Sequence, residues 1–338
     1  MPPLTLHHIA RLAGVSRSTV SRVINNHPNV SDDVRERVQK IIDETGYLPN
    51  VAARSLRSKR SNIIGLVIPE SVHTLFTDPY FPRLTQGVAQ ACNRHNKTLA
   101  LFIESDTQSL FPRVSHRGQL DGVLLQTGRI GNELITRLLE AKMPMVVLGR
   151  PSSQDASYIN VDNVAGAYIA TIHLTGLGYQ RIATITGGLD NTTGVDRLAG
   201  YKRALTERGY VLDEDLIVQG DFTELGGYYA AQKLLKYHPD AIFAASDTMA
   251  RGAIRFFREN DISVPEDIGI VGYDDLPPAI DTKPLLTTVR QPIRRFGVKA
   301  VETLLDVIEY GPEPLRRIQM DVELVIRDSC GVKLRERA

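Results

Sequence analysis

From Asn62 onward the chain repeats one unit: a short apolar run rich in β-branched residues, followed by a helical pattern. The runs read "IIGLVI", "TLALFI", "GVLLQ", "PMVVLG", "YINV", "RIATITG", "AIFAAS" and "IGIVGY". Helical periodicity alternates with most of them, at 83–96, 132–141, 165–176, 197–208, 226–237 and 249–260. Continuously apolar strands need cover on both faces, and strand–helix alternation provides it in a parallel sheet. The unit therefore restricts this part of the chain to an α/β architecture. At 338 residues there is room for two doubly wound parallel-sheet subdomains.

The first sixty residues read differently, as helices only. Thr5 can cap a first helix, whose apolar positions Leu6, Ile9, Ala10 and Ala13 follow helical spacing to a stop at Gly14. Ser16 caps a second helix, and Val15 and Val20 have the spacing of a hydrophobic staple around that cap. Ser31 caps a third, with Asp32 and Asp33 in the first turn and Val34, Val38, Ile41 and Ile42 as its stripe. Three short helices with tight turns form a small bundle. The stretch after it, "GYLPNVAARSLRSKRS", allows only a short helix from Val51 to about Arg57, marginal without a partner.

Charge separates the same two regions. Residues 1–60 hold ten Lys or Arg and five Asp or Glu, net +5; the remainder holds thirty and thirty-four, net −4. A basic head on a mildly acidic body points to a head that meets an anion. Once Val20, Val23 and Ile24 face inward, the second helix leaves Arg17, Ser18, Ser21, Arg22 and Asn25 outside. A major groove admits an α-helix, and the arginine fork matches the two acceptors of guanine. The preceding helix would cross the phosphate backbone.

With "HIA", "AGVS", "TVSRVIN" and "GYLPNVAARSL", residues 5–58 resemble the headpiece of the LacI/GalR family of bacterial transcription factors. His8 stands where that family often has Asp. The resemblance implies that Arg17 and Ser18 choose bases and that Arg22 contacts a guanine or phosphate. It implies backbone contacts from Ser16, Thr19, Ser21 and Asn25, and further DNA contacts at Thr5, Leu6 and Val30. It also implies that the short linker helix lies in the minor groove, with Leu56 wedged into a base step and Asn50 and Ala53 packed nearby. Two wedges require two subunits, hence a homodimer on a near-palindromic operator.

The body, about 62–328, resembles the effector domain of the same family through "DPYF", "LDGVLLQ", "PMVVLGRP", "VDNVAGAYIA", "SDTMARGAI" and "VPEDIGIVGYDD". That domain shares its fold with type I periplasmic sugar-binding proteins. Ligands of open parallel sheets bind beyond the carboxyl ends of strands. Those ends are Pro69, Glu104, Gln126, Gly149, Gly187, Ser246, Asp247, Asp274 and Asp275. A guanidinium donating two hydrogen bonds and a carboxylate accepting two suit a polyol, which singles out Arg197 and Asp274. Tyr80, Phe81 and Phe222 can supply flat faces for a sugar ring, and Ser246, Asp247 and Asn191 further polar contacts. The bland alternatives are an Arg197–Asp274 structural pair and aromatic core packing.

The expected division is 1–48 headpiece, 49–61 hinge helix and linker, and 62–338 effector and dimerisation domain. Within the last, one subdomain covers about 62–161 plus 291–321 and the other about 162–290 plus 322–330. No catalytic motif is present, and "TGG" at 186–188 is too short for a nucleotide fingerprint. No cofactor and no metal are expected. Cys92 and Cys330 fit a reducing compartment, and the absence of a secretory signal pattern points to the cytoplasm. The resulting expectation is a repressor controlled by a small molecule, most simply a sugar, acting as inducer or corepressor. A purine- or nucleoside-responsive regulator, a sugar-binding transport protein and an enzyme on this fold are the alternatives. The C-terminus lacks leucine heptads, so a dimer is expected and not a coiled-coil tetramer.

Overall fold

The computed structural model describes residues 4–47, 60–116 and 118–335. Contacts divide the chain into two units, Met1–Ser61 and Asn62–Ala338. The expectations for Asn50, Ala53 and Leu56 fall outside the described residues.

The first unit contains helices α1 (Leu6–Ala13), α2 (Arg17–Ile24) and α3 (Asp32–Thr45). Thr5 sits at the N-cap of α1, and its backbone amide donates to Nδ1 of His8 at 3.4 Å. His8 thus supplies an acceptor that an acidic side chain could also provide at that position. The Ser16 hydroxyl accepts from the Thr19 amide at 3.1 Å and starts α2. Ser31 occupies the N-cap of α3, but its hydroxyl makes no capping hydrogen bond. Ile9, Ala10, Ala13, Val20, Val23, Val38 and Tyr47 are buried together, with Val15, Val34, Ile41 and Ile42 packed against them. Arg35 donates through Nη2 to the His27 carbonyl at 2.8 Å and fixes the α2–α3 turn.

The second unit holds two six-stranded sheets. The first contains β1 (Ile63–Ile68), β2 (Thr98–Ile103), β3 (Gly122–Gln126), β4 (Met145–Leu148), β5 (Tyr158–Val161) and β11 (Arg317–Met320), in the order β11-β5-β4-β3-β1-β2. All its neighbours are parallel. The second contains β6 (Ile182–Thr186), β7 (Ile217–Gln219), β8 (Ala241–Ala244), β9 (Gly269–Asp274), β10 (Thr287–Arg290) and β12 (Glu323–Val325), in the order β12-β10-β9-β8-β6-β7. Only its β10–β12 pair is antiparallel. The apolar runs marked eight strands; β7, β10, β11 and β12 are too short or too polar to read that way.

Helices α4 (Val72–Thr77), α5 (Tyr80–Arg94), α6 (Thr107–Val114), α7 (Glu133–Glu140) and α13 (Ile293–Tyr310) belong with the first sheet. Helices α8 (Asn163–Gly176), α9 (Thr192–Glu207), α10 (Glu224–Leu235), α11 (Asp247–Glu259) and α12 (Pro277–Asp281) belong with the second. A last turn, α14, spans Val332–Arg335. The chain passes between the two lobes three times: after β5, after β10, and between β11 and β12. Each lobe has apolar cores on its sheet, such as Leu66, Leu124, Val146 and Leu304 in the first and Ile185, Ile242, Met249 and Phe257 in the second.

Five of the six helices expected from periodicity begin two to five residues earlier than the apolar pattern shows. The reason is physical. The first turn of each of these helices lies at the cleft between the lobes or is held by a polar cap, so its residues are not selected for the core. Asp162, Asn191, Thr223 and Ser246 each accept from a backbone amide one turn into the following helix.

Candidate functional site

Two surfaces carry chemistry. On α2, Val20 and Val23 are buried, while Arg17, Ser18, Arg22 and Asn25 are exposed and Thr19 and Ser21 half-buried. The Ser16 hydroxyl lies 2.7 Å from Ser18 Oγ and 2.8 Å from Thr19 Oγ1, so three hydroxyls tie down the first turn. Asn25 donates to the Ser21 carbonyl at 2.7 Å at the other end. Among the described residues, neither Arg17 nor Arg22 joins an ion pair, which leaves both guanidinium groups to an external anion. Thr5 is exposed at the start of α1. Leu6 and Val30 are half-buried and pack against the headpiece core.

The second surface is the cleft between the carboxyl ends of the two sheets. A cavity of about 120 Å³ opens there, walled on one side by Tyr80, Phe81, Gln126 and Gly149 and on the other by Arg197, Phe222, Ser246 and Asp274. Asn163 and Gln291, which follow the first two crossings between lobes, complete it. Arg197 is buried and held from three directions. Its Nε donates to Asn163 Oδ1 at 2.9 Å, and Nη1 donates to the Ala245 carbonyl at 2.5 Å and to Asp274 Oδ1 at 3.4 Å. Its guanidinium carbon lies 3.6 Å from the centre of the Tyr273 ring. Gln291 donates to the same Asp274 oxygen at 2.5 Å. Burial pushes the Asp274 carboxyl up to about 7, against the opposing pull of Arg197. Burial likewise raises Asp78, which lines the cavity beside Tyr80.

Backbone strain gathers here. Phe222 has φ +65° and Asp274 φ +119°, a region that side-chain-bearing residues rarely occupy. A Cβ on Gly187 would fall 2.0 Å from the Phe222 ring, so only glycine lets that ring reach the cavity wall.

An outer chamber of about 290 Å³ adjoins the first and shares Phe81, Gln126 and Gly128 with it. Its other walls include Glu70, Ser105, Thr107, Arg129, Asn132 and Asp190, so it is polar where the inner one is aromatic. The side-chain oxygen of Gln126 is buried in the shared wall with no hydrogen-bond partner.

Tyr80, Phe81, Gln126, Arg197, Phe222, Ser246 and Asp274 thus meet around one cavity. Asn191 and Asp247 are not among its walls. Asn191 accepts from the Thr193 amide at 2.9 Å and caps α9. Asp247 is fully buried, accepting from the Thr288 hydroxyl at 2.5 Å and from the Leu276 amide at 2.9 Å, which spends its carboxylate on holding the second lobe together. Burial, with Asp274 adding to it, raises the Asp247 carboxyl. Arg197 and Asp274 do pair, as the bland reading has it, while both also face the cavity. Of the strand ends, Asp275 turns away and binds Arg290 and Arg327 at 2.6 and 2.5 Å.

Sequence reasoning missed Asp78, Asn163, Thr193 and Gln291. Asp78 heads "DPYF", Asn163 ends "VDN", and Gln291 follows β10; for Asn163 and Thr193 the usable signal is the first helical turn after a strand, not the strand end alone. Among the described residues, no group of three His, Cys, Asp or Glu could hold a metal ion, and no helix is long and apolar enough to cross a membrane.

Residues 5–50 match the bacterial regulatory protein lacI family, and residues 171–330 match the periplasmic binding protein-like domain. The HTH-type transcriptional regulator CelR of Thermobifida fusca is 38% identical over 96% of this chain and 98% of its own length. The HTH-type transcriptional repressor PurR of Vibrio atlanticus is 36% identical, over 96% and 98%. A solved complex of the regulator CelR with cellobiose superposes with a TM-score of 0.77 at 36% identity, covering 96% of this chain and 99% of that one. The lac repressor dimer bound to operator and the anti-inducer ONPF gives 0.86 at 27% identity, covering 97% and 99%. With relatives above one-third identity matched nearly end to end, and with a helical head followed by two parallel-sheet lobes, the chain belongs to the LacI family and is a DNA-binding transcriptional regulator.

Proposed function

We propose that this chain is a repressor that reads a near-palindromic operator as a homodimer and that a saccharide in the cleft controls its grip. The DNA-reading residues are Arg17, Ser18 and Arg22, supported by Thr5, Leu6, Ser16, Thr19, Ser21, Asn25 and Val30, with Asn50, Ala53 and Leu56 serving the minor groove. The lac repressor structure, a dimer on its operator, supports the two-copy reading. The domain division is 1–48, 49–61 and 62–338, and the working compartment is the cytoplasm.

The observation that carries the effector reading is the pairing of aromatic walls with Arg197 and Asp274 in one cavity. Tyr80, Phe81 and Phe222 offer faces to the apolar side of a sugar ring, and the guanidinium and carboxylate answer its hydroxyls. The inner volume suits one ring. The polar outer chamber suits a second, and the CelR complex with cellobiose supports a two-ring ligand. A purine is the second reading, favoured by the likeness to PurR.

Thermal unfolding of the full chain tests this against cellobiose, glucose, hypoxanthine and adenosine. A site ligand at about 100 times its Kd stabilises by about 2.7 kcal/mol, several degrees in Tm. Cellobiose is expected to raise Tm more than glucose does. A rise with the purines alone would replace the saccharide reading by the purine one.

A further inference from the structure

Beside the two chambers, loops of the first lobe touch one loop of the second. The Thr192 amide donates to the Gly128 carbonyl at 2.8 Å, and the Ile130 amide to the Asp190 carbonyl at 2.8 Å. Arg129 and Asn191 form an antiparallel bridge between these donors. A Cβ on Gly128 would meet Asn191 Oδ1 at 2.2 Å, so the approach admits no side chain there. Beside this seam, Arg150 extends from the end of β4. Its Nε donates to Asp196 Oδ2 at 2.9 Å and its Nη2 to Asp196 Oδ1 at 2.6 Å. The Arg150 carbonyl accepts from the Thr192 hydroxyl at 2.7 Å.

Every one of these contacts joins one lobe to the other, so an opening that parts these loops has to break them. A two-point guanidinium–carboxylate pair also fixes orientation. Asp196 precedes Arg197 on α9, and that adjacency links the seam to the cavity: holding Asp196 holds the turn from which Arg197 reaches Asp274. The Arg150 side chain is 40% exposed and that of Asp196 12%, so solvent screens the arginine end of the pair more than the carboxylate end. Its effect falls on the balance between open and closed cleft.

We propose that Arg150 and Asp196 form a latch that closes the cleft before any effector arrives and acts as a positioning pair for Arg197. A ligand that binds the closed form then meets a larger competent population and binds more tightly, while its entry waits on the latch opening.

The test uses the full chain without any effector, so it does not depend on which ligand the cleft takes. Glu140→Cys on α7 and Arg208→Cys at the end of α9 place one exposed label on each lobe, and native Cys92 and Cys330 are buried. Energy transfer between the labels reports the open-to-closed ratio. Arg150→Ala and Asp196→Ala are each expected to raise that ratio roughly two- to fivefold, the range for a part-exposed ion pair. The reciprocal swap, Arg150→Asp with Asp196→Arg, is expected to return it toward the native value. Arg150→Lys, which keeps the charge and loses the two-point geometry, is expected to fall between. Single variants with the native ratio would overturn the latch, as would a swap that stays as open as the single variants.

Discussion

Asp274 shares one oxygen between Arg197 and Gln291 and remains hard to ionise, because burial outweighs the arginine. Burial pushes its carboxyl up to about 7 in the folded chain, from about 3.9 in an unfolded one. Between those values the folded chain holds a proton that the unfolded chain has released, so this residue's contribution to stability is full below the lower value. It falls as pH rises and is lost above the upper one. The difference in Tm between wild type and Asp274→Asn should therefore shrink or reverse from pH 4 to 8, measured by calorimetry; a constant difference would reject the assignment. Saccharide affinity should strengthen in the wild type over the same range as the carboxylate forms, and stay flat in the variant. Asp274 was legible from residue type and its place at a strand end, and Arg197 from residue type alone. The diversion of Asp247 into the lobe interior was not, since it depends on Thr288 and Leu276, distant in sequence.

Among the elements, α2 shows how capping and reading separate. Ser16 holds the first turn, and Arg17 in the same turn points outward. Ser16→Ala should cost about 1 kcal/mol of headpiece stability and weaken binding to all DNA sequences alike. Arg17→Ala should leave stability near native, cost about 1–3 kcal/mol on the preferred sequence and relax the choice at one base position. Equilibrium binding to a selected fragment pool distinguishes the two; uniform losses from both would remove Arg17 from base reading. The helix was legible because staple, cap and inner stripe agree over "VSRSTVSRVI". The starts of α5, α8, α9, α10 and α11 were not, because each opens with a turn shaped by the cleft or by a polar cap and not by the core.

For the molecule as a whole, the two units divide at Ser61 and Asn62, and every wall of the cleft lies in the second. A chain beginning at Asn62 should keep its saccharide-induced rise in Tm and lose operator binding, checked by thermal unfolding and a gel shift on the same preparation. Retained operator binding would move the DNA-reading face out of the head. The threefold passage between lobes has a consequence for how the protein is made. Synthesis supplies five of the six strands of the first sheet by Val161, yet the α13 helix that covers β3 and β4, and the edge strand β11, arrive only after the second lobe's β10. Of the two lobes the first is begun earlier on the ribosome, yet it is finished only after most of the second has been made. Until Ala300, Val301 and Leu304 emerge, its Leu124, Val146 and Leu148 lack their cover, and the nascent chain shows chaperones a ready apolar face.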